Sequence, residues 1–404
     1  SIIWRAILVT ATAGNAPQSI SKENYRICPL PPCKTCPSTE NLQAPGVGLA
    51  LETSHGAAVV RFHDGSHKHI ALIEGDTSYK ALLRGLSTGP VNRTPDHIDS
   101  YWDQLQYVKS RAQRRLNKML GRPATPESAV LGVMVAALLD ATRPSLGEEY
   151  PVTAAVLSSP DRVKLTDEEI GDIFDYLRIR NLMTEPDSLE DLYATSAAYA
   201  GYGRGLCDTY TDAYACEREE SQFPAQRLLH IDFNSEALGA TTKSLQSARD
   251  GSVDTMFVDF DLGYAREETR PTITPDSDSE IYWAAVSARI RGLVASYKPR
   301  ITELLLTGTS AKNKQFQRAV QDALLDVVPD DVLATLESFV QGAVIEHSWE
   351  AVFEFATAQG AAEIAKRRQE GPVRCAQSDE CRRRREEQRT KPFLSQGPDG
   401  NIEL

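Results

Sequence analysis

The chain predicts a duplicated α/β fold of two lobes with a cleft between them, and two observations carry that expectation. GVGLALETSHGAAVVRF (residues 46–62) and LLHIDFNSEALGATTKSL (residues 228–245) are both apolar strand, polar turn with small residues, apolar strand. Each is followed by a helical stretch that feeds a further strand: ESAVLGVMVAALLDATR before VTAAVLSS, and IYWAAVSARIRGLVASY before ITELLLTG. A repeated order of this kind points to an internal duplication. The length of 404 residues agrees, being too long for one small domain.

In chain order, residues 1–45 are expected to form an N-terminal strand and a cysteine- and proline-rich arm without regular structure over 15–45. The apolar opening SIIWRAILVTATAG is read two ways, as the remainder of a processed precursor or as the first strand. A first lobe is expected over 46–205. It starts with three strands, GVGLALET, AAVVRFHD and HKHIALIE, with Asp64-Gly65 as a hairpin turn. Helices follow over 98–120, with a strongly basic face, and over 127–143. Thr166, followed by Asp167, Glu168 and Glu169, starts another helix, because a threonine cap and first-turn carboxylates satisfy its free N–H groups. An alanine- and tyrosine-rich helix spans roughly 187–203.

The second lobe is expected over 206–370. It contains the second strand pair, VDTMFVDFD, a proline-containing loop, helix 281–297, the strand ITELLLTG, helix 313–327 and a helix over 351–369. A charged, frayed tail over 371–404 ends the chain, its run RRRREEQR being a mixed-charge helix rather than a nucleic-acid arm.

The net charge of −12 argues against general nucleic-acid binding, which needs a basic surface to replace counterions. No apolar run approaches the roughly 20 residues of a membrane span. The seven cysteines are Cys28, Cys33, Cys36, Cys207, Cys216, Cys375 and Cys381. Cys207 with Cys216, and Cys375 with Cys381, are each close enough in sequence to close a short disulfide loop, and an odd count leaves at least one thiol over. Disulfides in an oxidising compartment are the expectation; inert thiols and a metal site at Cys33-Lys34-Thr35-Cys36 are the alternatives. The sequon at Asn92 agrees with secretion. A secretory location is therefore expected, with the cytoplasm as the alternative.

His67 and His69 share one face if they lie on a strand, and with His63 or Asp64 they form a candidate transition-metal site. A solvated hairpin is the other reading. Ser310 has no histidine near it in sequence and no GxSxG occurs, so hydrolase chemistry finds no support.

Four segments resemble the nucleotide-binding domain of Hsp70: MVAALLDATRPSLGEEYPVTAAVLSSP (134–160), DLYATSAAYAGYG (191–203), ITELLLTGTSAKNKQFQRAVQDAL (301–324) and FEFATAQGAAEIAKRR (353–368). With the strand–turn–strand units, their order resembles the actin-like ATPase fold shared by Hsp70, actin and sugar kinases. The resemblance spans roughly 46–370, and nothing after 370 resembles the Hsp70 peptide-binding domain. It implies a bilobal, ribonuclease H-like duplicated fold. The stretch from Asp261 to Tyr282 is too short for the outer subdomain of the second lobe, so the outer subdomains are expected to be reduced.

By this resemblance, two turns would hold phosphates through main-chain amides, and carboxylates would place magnesium and water. The first turn resembles GIDLGTT, with Ala50 at the aspartate, Glu52 at the glycine, and Thr53 and Ser54 at the threonines. The second resembles DLGGGTFD: Asp232 keeps the first aspartate, Asn234, Ser235 and Glu236 replace glycines, Ala237 replaces the threonine and Gly239 the last aspartate. Glu190 or Asp191 stands near the helix carboxylate of the family, Gly308 and Thr309 near its adenosine turn. Lys109 and Lys118 are available, but neither is a firm counterpart of its catalytic lysine. The lost carboxylate and the added Glu52 oppose phosphate binding.

The expectation is thus a non-catalytic, Hsp70-like pseudo-ATPase that binds or scaffolds a protein partner and needs no cofactor. A divergent ATPase or small-molecule kinase using Asp232, Gly308, ATP and magnesium is the alternative.

Overall fold

A computed structural model of the protein describes residues 30–89, 101–147, 151–163, 165–183, 192–250, 253–268, 275–297, 300–341, 349–372 and 375–389. Cys28, Asn92, Glu190 and Asp191 lie outside the described residues.

The chain is mixed α/β with two sheets. After a short helix α1 (Thr39–Gln43) come β1 (Gly46–Leu51), β2 (His55–Arg61) and β3 (His67–Glu74). All six residues of β1 are buried, which is why it reads as a continuous apolar run instead of an alternating one. It pairs antiparallel with β2, from Gly46 opposite Arg61 to Leu51 opposite Gly56. The β2–β3 turn forms where Asp64-Gly65 predicts it. Gly65 adopts φ 91°, and Asp64 Oδ1 accepts from the Ser66 N–H at 2.8 Å.

Helices α2 (Thr77–Thr88), α3 (Tyr101–Met119) and α4 (Pro126–Leu146) follow, then β4 (Ala154–Ser159), α5 (Asp167–Leu177) and the short strands β5 (Arg180–Asn181) and β6 (Leu192–Tyr193). β4 returns parallel to β1, so the sheet runs β3-β2-β1-β4-β5, with β6 also on β4. α4 starts at a capping box in which Thr125 and Ser128 satisfy each other's backbone N–H. α5 starts at the same motif built from Thr166 and Glu169, as its sequence predicts.

Helix α4 is long and apolar enough to cross a membrane by length and composition alone, against the expectation of no such run. Its Leu131, Val135 and Leu138 are buried in one core with Val47, Leu49 and Leu157 of the sheet. It serves as the core helix of the first sheet.

Helices α6 (Ala194–Gly201) and α7 (Ala213–Gln222) lead to β7 (Gln226–Phe233), β8 (Leu238–Leu245) and β9 (Thr255–Asp259). Then come α8 (Tyr264–Glu268), α9 (Pro275–Ser296), β10 (Glu303–Thr307), α10 (Lys314–Leu324) and α11 (Asp330–Gln341). β7, β8 and β9 form an antiparallel meander and β10 returns parallel to β7, giving β10-β7-β8-β9. The two sheets therefore repeat one order, a meander whose first strand takes the returning fourth strand on its other side. Phe233 stacks on Phe316 of α10 at 4.2 Å in the second core, beside Val286 and Ile290 of α9.

The long helix α12 (Trp349–Glu370) crosses α6 and lies along β1. A Cβ at Gly360 would stand 1.8 Å from Ala197 O, and one at Gly201 would stand 1.9 Å from Ala356 O. The two backbones touch, which only glycine permits. Buried Lys366 of α12 ties the arm to this helix, donating to Leu42 O and Ala44 O, each at 2.8 Å, and pairing with Glu370 at 2.9 Å.

The arm and the tail depart from expectation. Their described residues are joined by two disulfides, Cys33–Cys375 and Cys36–Cys381, and by a parallel bridge of Pro32 with Ala376. Cys375 and Cys381 therefore bond to the arm and not to each other, and the run RRRREEQR forms part of helix α13 (Asp379–Arg389), the mixed-charge helix expected of it. Cys207–Cys216 closes the short loop as predicted. With six cysteines in disulfides, Cys33 and Cys36 are not available as thiolate metal ligands.

Candidate functional site

Polar side chains converge where the parallel strands of both sheets end. Glu52 follows β1, Asp161 follows β4, Asp232 is the next-to-last residue of β7 and Thr307 ends β10. The carboxyl ends of parallel strands are where open α/β sheets place their sites.

The β1–β2 turn is held closed from within. Glu52 N–H donates to His55 O at 2.8 Å, and the Tyr79 hydroxyl of α2 donates to Glu52 O at 2.8 Å. Glu52, Thr53, Ser54 and His55 are all buried. The β7–β8 turn is shaped by Asn234, whose Oδ1 accepts the N–H groups of Glu236 and Ala237 at 3.0 and 3.1 Å. The same side chain joins the two turns: its Nδ2 donates to Thr53 Oγ1 at 2.9 Å and to Asp232 Oδ2 at 2.8 Å. At the rim, Lys80 of α2 reaches Glu236 at 3.2 Å and Glu74 at 2.5 Å.

A buried chain of side chains runs inward from Asp232. Its Oδ1 lies 3.2 Å from Thr307 Oγ1, which lies 2.8 Å from His230 Nε2. His230 Nδ1 lies 2.8 Å from Thr195 Oγ1, and that hydroxyl donates to Asp161 Oδ2 at 2.7 Å. Thr307 donates to the Asp232 carboxylate, and the tautomer of His230 sets how its two ring nitrogens bond the Thr307 and Thr195 hydroxyls.

Burial pushes Asp232 up to about 6, against the hydrogen bonds from Thr307 and Asn234. Burial and then the Asp232 charge push Glu52 well above the usual carboxylate range, against a hydrogen bond to Thr357. Burial holds His230 down to about 4, and burial with nearby Lys80 holds His55 down to about 4. Both imidazoles are neutral at neutral pH.

Of the residues expected in the site, Thr53, Asp232 and Gly308 are brought together, while the Ser54 hydroxyl bonds His55 Nδ1 at 2.8 Å. Gly308 has φ 102°, and a Cβ there would stand 2.2 Å from Phe233 O and 2.7 Å from Asp232 Oδ1, so it packs directly on the second turn. Thr309 follows it, half-buried. The cleft lined by Glu52, Thr53, Asp161, His230, Asp232 and Gly239 is about 30 Å³. That is small against the several hundred Å³ of a small-molecule site. A larger cavity of about 670 Å³ lies at the opposite end of β10, beside Arg204, Glu303, Glu363 and Arg367.

His63, His67 and His69 lie along β3 and its preceding turn, away from this site. Each meets its own partner on α12: Glu370 at 3.1 Å, Glu363 at 2.8 Å and Gln359 at 3.3 Å. Lys118 pairs with Asp172 and Asp175 of α5. Sequence reasoning missed Asp161, Thr195, His230, Thr307 and Lys80. The available signal was position, since Asp161 and Thr307 fall at the ends of strands that the pattern had placed.

No protein-family profile matches the chain, and no curated protein matches it. Among solved structures it is similar to the ethanolamine utilization protein EutJ from Carboxydothermus hydrogenoformans, at 12% identity. The match covers 83% of this chain and 92% of that one, with a TM-score of 0.36. A likeness that distant assigns neither activity nor site residues.

Proposed function

We propose that this chain is a degenerate member of the actin-like ATPase fold, acting as a binding or scaffold module without nucleotide hydrolysis. The observation that carries the reading is the Thr53–Asn234–Asp232 bridge. The two turns that would face a phosphate are bonded to one another, and the buried Glu52 carboxyl stands beside Asp232. A phosphate entering there would meet acidic side chains in a space of about 30 Å³. The module needs no cofactor on this reading. Its three disulfides favour an oxidising compartment, the secretory pathway among them.

A divergent ATPase or kinase is the second reading, favoured by Asp232, which keeps the position of a family carboxylate and heads a buried chain of hydrogen bonds. Calorimetry with MgATP separates the two. No heat of binding is expected at millimolar nucleotide; micromolar binding that Asp232→Asn abolishes would overturn the scaffold reading.

A further inference from the structure

Helix α3 is docked with its charged side inward. Arg114 meets Glu168 at 2.9 Å, and Lys118 meets Asp172 at 2.9 Å and Asp175 at 2.7 Å, all on α5. Arg111 reaches the same Glu168 at 3.2 Å. On the opposite side Leu105, Val108, Ala112, Leu116 and Met119 recur at steps of three and four, one stripe of a 3.6-residue helix. Trp102 stands at its start. Met119 is 84%, Trp102 71% and Val108 62% exposed. An amphipathic helix of a globular protein normally turns the other way, apolar stripe to the core. This one displays an apolar line of about 26 Å, from 1.5 Å of rise per residue.

Charge identifies what covers it. The inward cations neutralise the acids of α5, which would otherwise dominate this part of a chain of net charge −12. Lys109 and Arg115 remain, one at each border of the stripe, with no ion-pair partner among the described residues. Their aliphatic stems can lie along apolar surface while the charged ends reach outward. A second copy of the chain would set these cations against their own kind. A lone convex helix, apolar at its crest and cationic at both borders, fits a flat anionic surface.

We propose that α3 is a membrane-surface site that lies in the headgroup layer of a bilayer containing anionic lipid. The test is flotation of the full chain with phosphatidylcholine vesicles, with and without phosphatidylserine. Wild type is expected to float with the phosphatidylserine vesicles and to be released by salt, because headgroup attraction is screened. Val108→Glu with Met119→Glu is expected to reduce flotation at least about tenfold by placing charge in the apolar layer. Lys109→Glu with Arg115→Glu is expected to remove the preference for phosphatidylserine. Both pairs are exposed, so circular dichroism should stay unchanged. Wild type that floats with neither vesicle overturns the proposal and leaves the stripe to an acid-rimmed groove of a protein. Flotation that survives Val108→Glu with Met119→Glu overturns it too. So does self-association in ultracentrifugation that Val108→Glu abolishes while no vesicle binds.

Discussion

Thr53 and Asn234 stand 181 residues apart in sequence and are bonded, the Asn234 Nδ2–H donating to Thr53 Oγ1 at 2.9 Å. Both side chains are buried, and each belongs to the first turn of its own sheet. The bond ties the first turn of one sheet to the first turn of the other.

Thr53→Val deletes that acceptor while keeping the volume, and should cost about 1–2 kcal/mol, the usual penalty for an unpaired buried polar group. Asn234→Ala should cost more, about 2–4 kcal/mol, because Asn234 also holds two turn N–H groups and Asp232. Urea denaturation of both variants checks the order. A larger loss for Thr53→Val would mean that the turn does not depend on Asn234.

Asp232 gives the fold a pH dependence of definite sign. Its folded pKa of about 6 exceeds the ordinary 3.8, so the native state holds the proton more tightly. This contribution is fully present below about 4 and is lost as pH rises through about 6. His55 and His230 act oppositely: held down to about 4, they destabilise the fold as pH falls from 6.5 towards 4. Asp232→Asn leaves the histidine terms alone. Relative to wild type, it should gain on the order of 2 kcal/mol between pH 4 and 7. Urea midpoints measured across that range test this, and a constant difference would show that Asp232 titrates normally.

The crossing of α6 and α12 predicts a contrast between two glycines. Gly360→Ala puts a Cβ 1.8 Å from a carbonyl oxygen of the other helix, and the helices must separate. A loss above about 3 kcal/mol, or no soluble protein, is expected. Gly85→Ala, on the exposed side of α2 with nothing within 4 Å, should instead stabilise by about 0.5–1 kcal/mol. Thermal melts of the pair read both signs at once.

Peptide mapping without reduction should recover Cys33–Cys375, Cys36–Cys381 and Cys207–Cys216. Finding Cys375 joined to Cys381 would refute the arm-to-tail strap. Replacing all four of Cys33, Cys375, Cys36 and Cys381 by serine should lower stability by about 2–4 kcal/mol, since either bridge alone keeps the long arm-to-tail loop closed.

Much of the scaffold was legible because local chemistry writes it. β1 and β10 are buried runs with no polar residue inside, Asp64-Gly65 is a turn pair, and Thr166 with Glu169 is a cap. Helix α2 was overlooked although Asp76 caps it by accepting from the Tyr79 N–H at 2.7 Å. Its Tyr79, Leu82, Leu83 and Leu86 recur at helical spacing, and its stability comes from burying Tyr79 and Leu83 against the sheet.

The site was legible only in its named turn residues. Asp161, Thr195, His230 and Thr307 carry no local motif. Each becomes part of the site because a strand or helix end brings it there, and hydrogen-bond geometry exists only after the two sheets are docked.

By itself the sequence determined the repeated strand–turn–strand units and the helix starts, since these depend on neighbours within a few residues. Tertiary structure alone decided that Thr53 meets Asn234, that Cys33 and Cys36 choose Cys375 and Cys381, and that α3 faces outward. Each of these depends on which surfaces meet once the chain has closed. Over separations of hundreds of residues, spacing sets no preference that packing cannot override.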